Sequence, residues 1–220
     1  LPQWLVAITT NQQSALHGAT GVAPATLAAM TLSHYEGRAL AIDNTRTTLD
    51  HNFPWSPRVG SRFCPQCVAE SGGRRLLAWR LGWTFACLQH RCLLADGCPR
   101  CRSRPMERHR RFDVIPRPAG CEAADGDRAS KNARCGIDVS TAVTLRFNDE
   151  AHPVLVAQRW IDGIIAGKRV GSGLHARCDE QGRAVLSSVR AIAIRALSYA
   201  TLDELEPIIA ADLLTIYRRD

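Results

Sequence analysis

Several things are missing from this 220-residue sequence, and each gap closes off a class of function. No run of about 18 apolar residues occurs, so no segment reads as a membrane-spanning helix. No signal-peptide pattern precedes the first helix. The chain opens on Leu1, and the expectation is a natural start that lies upstream. There is no Walker loop, no G-x-S-x-G elbow and no Gly-rich dinucleotide turn, which removes the usual motifs of nucleotide hydrolysis, acyl transfer and hydride transfer. Lysine is almost absent: of 28 basic residues, 26 are Arg. That bias fits a GC-rich genome as well as it fits selection for bidentate phosphate contacts.

What the chain has is cysteine, nine of them, against a 45% apolar background sufficient for ordinary cores. Nine cysteines in a secreted protein would suggest a disulfide framework. Here no export signal is present and the cysteines fall in C-x-x-C pairs, so metal binding is the better reading. The basic charge is concentrated in the same region. From Arg58 to Arg117 there are 13 Arg against Glu70, Asp96, Glu107 and Asp113, a net of +9 in a chain of +7, which leaves −2 for the remainder. Such a patch is expected where a chain meets nucleic acid. Seven thiolates and two dications would reduce the chain's +7 to about +4.

Three regions follow along the chain: 1–57, 58–143 and 144–220. The first reads as short helices. Trp4, Leu5 and Ile8 fall on one side of the first, and the next stops at Gly21. Another has Pro24 in its first turn, where the missing N–H costs nothing. Leu16, Gly21, Val22, Thr26 and Leu27 have helix-turn-helix spacing, which plain three-helix packing produces equally well. A turn-rich connector carries the chain to Arg58. In the central region, "RRLLAWRLGWTFAC" reads as a strand or strand plus turn. The last region reads as helices. One opens at Pro153 and stops at Gly167, with a stripe of Val154, Ala157, Ile161, Ile164 and Ile165. A second carries Leu186, Val189, Ile192, Ala193 and Ala196 as core. A capping box follows at Thr201–Glu204, and Pro207 interrupts the final helix. The fold class expected is mainly α with small β: helix-turn-helix-like helices, a central double zinc-ribbon or zinc-finger region, then C-terminal helices.

"CPQC" at Cys64–Cys67 and "CPRC" at Cys98–Cys101 are the same turn used twice. Each places two sulfurs toward one metal, and tetrahedral zinc needs two more N or S donors from another segment. Cys87 and His90 complete the first set as C-x2-C-x19-C-x2-H. Cys121 and Cys135 close the second. Cys92, two residues after His90, is the rival donor; it precedes Leu93 and Leu94 and reads as a buried small hydrophobe. Cys178, three residues after His175, reads as a free loop thiol. Four protein ligands leave no open position, so both sites read as structural. A different set, His34-x-Glu36 with Cys64 and Cys67, is similar to the zinc-deaminase pattern. It lacks the Pro before the first Cys and leaves Cys87 and His90 unused.

The ordered string "RFCPQCVAESGGRRLLAWRLGWTFACLQHRCLLADGCPRC", Arg62–Cys101, resembles the TniQ family, whose longer members are of TnsD type. Family members share C-P-x-C, a W-R-L segment, C-x-x-H-x-C-L-L and a second C-P-x-C. The resemblance extends more loosely to the N-terminal helices and to Cys135–Gly136. It implies zinc on Cys64, Cys67, Cys87 and His90, and helix-turn-helix-like packing at the N-terminus. It also implies a non-catalytic role in a bacterial cytoplasm: target selection in Tn7-like transposition, linking a target-recognising element to an AAA+ ATPase of TnsC type. That element is a DNA site or a CRISPR effector with guide RNA. A homodimer is a further expectation. The contacts expected with DNA are Arg62, Arg74, Arg75, Arg108, Arg110 and Arg111, mostly to phosphates. The runner-up is a stand-alone zinc-containing DNA-binding regulator reading a groove through Thr20–Met30. A zinc deaminase comes third.

Overall fold

In a computed structural model, residues 3–43, 45–50, 60–105, 117–124, 134–168, 181–207, 209, 211 and 213 are described. Capping residues set the first helix boundaries. Helix α1, Gln3–Val6, buries Leu5 and Val6 and ends before Ile8, which is half-buried. Helix α2, Thr10–Thr20, starts on a capping box that sequence reading missed: Thr9 Oγ1 accepts from the Gln12 N–H, and Gln12 Oε1 accepts from the Thr9 N–H. It stops at Gly21, whose φ of 70° is one glycine adopts without strain. Helix α3, Pro24–Ala29, begins with Pro24 as expected. Neither α2 nor α3 buries a residue, and Leu16 is 41% exposed.

The connector turns out to have a core. A 3-10 turn at Leu32–Tyr35 leads into strands β1, Ile42–Asp43, and β2, Thr48–Leu49, paired antiparallel with Ile42 opposite Leu49. Asp43 Oδ1 accepts the N–H groups of Thr45 and Arg46 and so forms the turn. Leu32, Ala39, Leu40, Ile42 and Leu49 are buried, and α1 packs on this hairpin and turn. Its apolar run, Ala39–Ile42, is short and set among turn residues, which hides it in the sequence.

The central region is built around a short hairpin. Helix α4, Pro65–Glu70, precedes a 3-10 turn at Leu77–Arg80, then strands β3, Ala86–Cys87, and β4, Cys92–Leu93. Leu93 N–H donates to Leu145 O and Phe147 N–H to Arg91 O, which adds residues 145–147 along the free edge of β4. The expected strand over "RRLLAWRLGWTFAC" is mostly not one. Trp79, Leu81 and Trp83 are buried at alternate positions, although Arg80 between them is buried as well. The N–H groups of Leu81 and Thr84, however, bond three residues back to Ala78 and Leu81, so no ladder forms there.

Helix α5, Pro153–Ile165, has Pro153 in its first turn, with His152 Nδ1 accepting from the Val154 N–H, and Gly167 follows at φ 80°. Its buried face is Val154, Leu155, Gln158, Ile161, Ile164 and Ile165. Ala157, expected in that stripe, is exposed; Leu155 and the polar Gln158 are inward instead. Gln158 is drawn in because its Oε1 accepts the N–H groups of Phe85 (2.8 Å) and Ala86 (3.0 Å), while its Nε2 donates to Asp162 (2.8 Å).

By contact the chain divides into two units, Leu1–Lys168 and Arg169–Asp220. The second contains helices α6, Gln181–Tyr199, and α7, Leu202–Leu205. The Thr201–Glu204 capping box forms as expected. The expected core stripe of α6 is realised only at its start. Val185 and Leu186 are buried, whereas Ile192 is 69% exposed and Ala196 is also exposed. His175, Cys178 and most of the segment after Pro207 lie outside the described residues. The chain is helix-rich with small sheets, and no described helix is long and apolar enough to cross a membrane.

Candidate metal centres

The first centre is assembled from a helix start and a hairpin. Cys64 is the N-cap of α4, Pro65 occupies its first position, and the Cys64 carbonyl accepts the Val68 N–H. Cys67 thereby faces the same side as Cys64. Cys87 lies at the end of β3, directly opposite Cys92 on β4, and the turn between them presents His90. Arg91 closes that turn with φ 49°, a left-handed conformation uncommon for a side chain larger than Asn. The donor atoms of Cys64, Cys67, Cys87 and His90 all lie within 4.8 Å of one another. Cys67 and Cys87 sulfurs are 3.6 Å apart, and His90 Nδ1 is 3.2 Å from Cys67, 3.5 Å from Cys64 and 3.7 Å from Cys87. Bonds of about 2.3 Å to a tetrahedral ion imply sulfur–sulfur edges of about 3.8 Å, so the residues fit.

The second centre gathers Cys98, Cys101, Cys121 and Cys135 within the same limit. Its knuckle is tied by Cys98 N–H to Ser103 O (2.9 Å) and Arg102 N–H to Cys98 O (3.0 Å), with Arg102 at φ 60°. Cys121 and Cys135 read as isolated in a loop from the sequence. They belong to an antiparallel ladder, with Gly120 bridged to Asp138 and Ala124 to Arg134, and with Cys121 N–H donating to Ile137 O. Sulfur–sulfur distances are 3.8 Å for Cys98–Cys135 and 3.5 Å for Cys101–Cys121.

Both sets share one apolar core, in which Phe63, Val68, Trp79, Leu94 and Val139 are buried with the cysteines. The seam is tight at Gly73. A Cβ there would stand 2.4 Å from Pro118 Cβ and 2.7 Å from the Ala119 nitrogen, and its φ of 96° is a glycine conformation.

The crowding of the thiols shows in their proton affinities. Hydrogen bonds from Cys64, then from Cys92, hold Cys87 far below the ordinary thiol range. Burial, then the neighbouring Cys87, pushes Cys67 well up. Hydrogen bonding with Cys64 and Cys87, then burial, pushes Cys92 up. Without an ion, then, one thiolate is stabilised at the expense of its neighbours. In the second set, burial raises Cys101, but hydrogen bonds from the Ser103 backbone and side chain outweigh it and bring the thiol down to about 7. Burial lowers His90, but the Glu70 hydrogen bond and the Cys87 thiolate outweigh it and leave the imidazole raised.

Cys92 is fully buried and its sulfur is 3.7 Å from that of Cys64, yet it is not a member of the tetrad. His34 is exposed on the 3-10 turn and is not among the residues gathered at Cys64 and Cys67, which take Cys87 and His90 instead. Of the candidate DNA contacts, Arg62 is held inside the region. Its Nε is 2.8 Å from Asp96 Oδ1, and its Nη1 donates to the Gly82 and Thr84 carbonyls. Arg75 lies over the Phe63 ring at 5.4 Å, and Arg74 is exposed with its Nε donating to Ser71 O. Arg108, Arg110 and Arg111 lie outside the described residues. Sequence reading passed over Glu70 and Gln89, which meet at His90: Glu70 Oε1 is 2.8 Å from His90 Nε2, and Gln89 Nε2 donates to Glu70 Oε2 at 3.3 Å.

Comparison with known proteins matches residues 3–94 to the TniQ family model. No curated protein and no solved structure matches the chain. The match contains all four donors of the first centre, and the second centre lies beyond it.

Proposed function

We propose, from the match of residues 3–94 to the TniQ family and that family's association with transposition target selection, that this protein is a non-catalytic adaptor. In this reading it joins a target-recognising element, either a DNA site bound by another factor or a CRISPR effector with guide RNA, to an AAA+ ATPase of TnsC type. Both metals are zinc. Seven thiolates and one imidazole at tetrahedral spacing are the donor chemistry zinc takes in structural sites. With four protein ligands each, the ions carry no open position for substrate, and what they supply is folding free energy to a region of very short strands. This weighs against the deaminase reading.

The observation that favours an adaptor over a sequence-reading regulator is charge. No Asp, Glu, Lys or Arg occurs from Leu1 to Tyr35, so α2 and α3 offer phosphates no ionic contact. Their helix-turn-helix order around Gly21 supports the regulator reading, but a helix seated in the major groove needs flanking cations to fix its register and polar side chains to read base edges. The arginine excess lies in the metal-binding stretch of the sequence instead. Arg74 with Arg108, Arg110 and Arg111 would meet phosphates, while Arg62 and Arg75 hold the fold and add to the local potential. Binding through such contacts is weak, salt-dependent and indifferent to sequence. Removing Arg108, Arg110 and Arg111 together should flatten the salt slope by about 3 units at most.

The test is recovery of the tagged, zinc-loaded chain from its own host, followed by identification of what accompanies it. An AAA+ ATPase of the transposition machinery is expected at stoichiometric amounts. Recovery of the chain with DNA alone would overturn the adaptor reading.

A further inference from the structure

His90 has two ring nitrogens, and the structure gives each a different neighbour. Nδ1 faces the sulfurs of Cys67, Cys64 and Cys87 at 3.2, 3.5 and 3.7 Å. Nε2 faces Glu70 Oε1 at 2.8 Å. A neutral imidazole carries one proton, and the nitrogen that binds a metal must be the one without it. If Nδ1 is to be a donor, the proton belongs on Nε2, and a carboxylate stands there to accept it.

Glu70 is placed for this by the same helix that supplies the thiols. It ends α4, whose start carries Cys64 and Cys67. Its second oxygen accepts from Gln89 Nε2, so one carboxylate grips two consecutive residues of the turn that presents His90. The contact differs from an ordinary surface ion pair. The His90 side chain is only 12% exposed, while Glu70 is 58% exposed and has no burial of its own to explain its position. There is also a competing donor. Cys92 Sγ lies 3.7 Å from Cys64 Sγ, two residues beyond His90, so the site needs something that settles which group completes the tetrad.

We propose that Glu70 is a positioning residue for the first metal centre: it fixes the His90 ring in the orientation and tautomer that aim Nδ1 at the ion, and so makes His90 rather than Cys92 the fourth ligand. The inference rests on the metal reading of the first tetrad. Partners of this kind, carboxylates accepting from the distal nitrogen of a ligating histidine, typically change metal affinity by about 10–100-fold when removed.

The experiment is chelator competition on the full chain, with both centres loaded with zinc and the second centre as an internal control. Glu70→Ala and Glu70→Gln are compared with the parent, each also in a Cys92→Ser background so that Cys92 cannot take over the vacated position. Glu70→Ala should weaken one of the two sites about 10–100-fold and leave the other unchanged. Glu70→Gln keeps a carbonyl oxygen to accept the Nε2 proton but loses the charge, and it should fall between the parent and Glu70→Ala. Parent-like zinc affinity in Glu70→Ala, or an equal loss at both sites, would overturn the proposal. Failure of the parent itself to hold two ions would remove the metal reading beneath it, which is a distinguishable result.

Discussion

Gln158 is the one fully buried polar side chain of α5, and its replacement offers a worked test of how the helix is fastened to the metal region. Its Oε1 accepts the backbone N–H groups of Phe85 and Ala86, the residues that lead into Cys87. Ala86 is opposite Leu93 in the β3–β4 pair, and its N–H points away from β4, so Gln158 serves in place of a neighbouring strand. Gln158→Leu keeps nearly the same volume and removes the acceptor. Each buried donor left unpaired costs about 1–3 kcal/mol. Phe85 is only half-buried and regains some water, so its share falls at the low end, and the pair together should cost about 2–4 kcal/mol. With a urea dependence of about 2 kcal/mol per M, the unfolding midpoint of the zinc-saturated protein should fall by about 1–2 M. A fall of less than about 0.3 M would refute the assignment of Gln158 as the fastener.

Further outcomes follow from the same packing. Elemental analysis of purified protein should find about two zinc ions per chain, and Cys64→Ser should lose one of them with loss of central folding, since structural zinc supplies roughly 10–16 kcal/mol in small zinc domains. Cys92→Ser should retain both ions and cost no more than a buried small-residue change; loss of zinc there, with retention in His90→Ala, would reverse the ligand assignment. Gly73→Ala should destabilise both centres together, by about 1–3 kcal/mol, because its Cβ would collide with Pro118 and its φ is unfavourable for alanine. A variant that unfolds with parent-like midpoint would show that the seam between the centres yields.

Both donor sets were legible in the sequence because the chemistry of a thiolate knuckle is local: two cysteines three apart with a proline between them report the turn directly. What those knuckles were attached to was less legible. Cys121 and Cys135 look isolated because their ladder pairs residues 10 (Ala124 with Arg134) to 18 (Gly120 with Asp138) positions apart without a periodic apolar signal. Glu70 and Gln158 carried no signal, since a carboxylate or an amide acquires such a role only from the neighbours that the fold delivers. The period of α5 and α6 was readable, but period alone does not say which face is covered. Period alone puts Ala157 and Ile192 inward, and both are exposed. The buried Leu40, Ile42 and Leu49 of the connector were hidden by the turn residues between them.

The central claim is that this chain leaves the choice of DNA sequence to a partner. Selection from random double-stranded DNA by the isolated zinc-loaded chain at physiological salt tests it most directly. The account predicts recovered sequences with no shared consensus, held weakly and released steeply as salt rises. A single sharp consensus, bound tightly by the chain alone, would contradict it and make this protein a sequence-reading regulator.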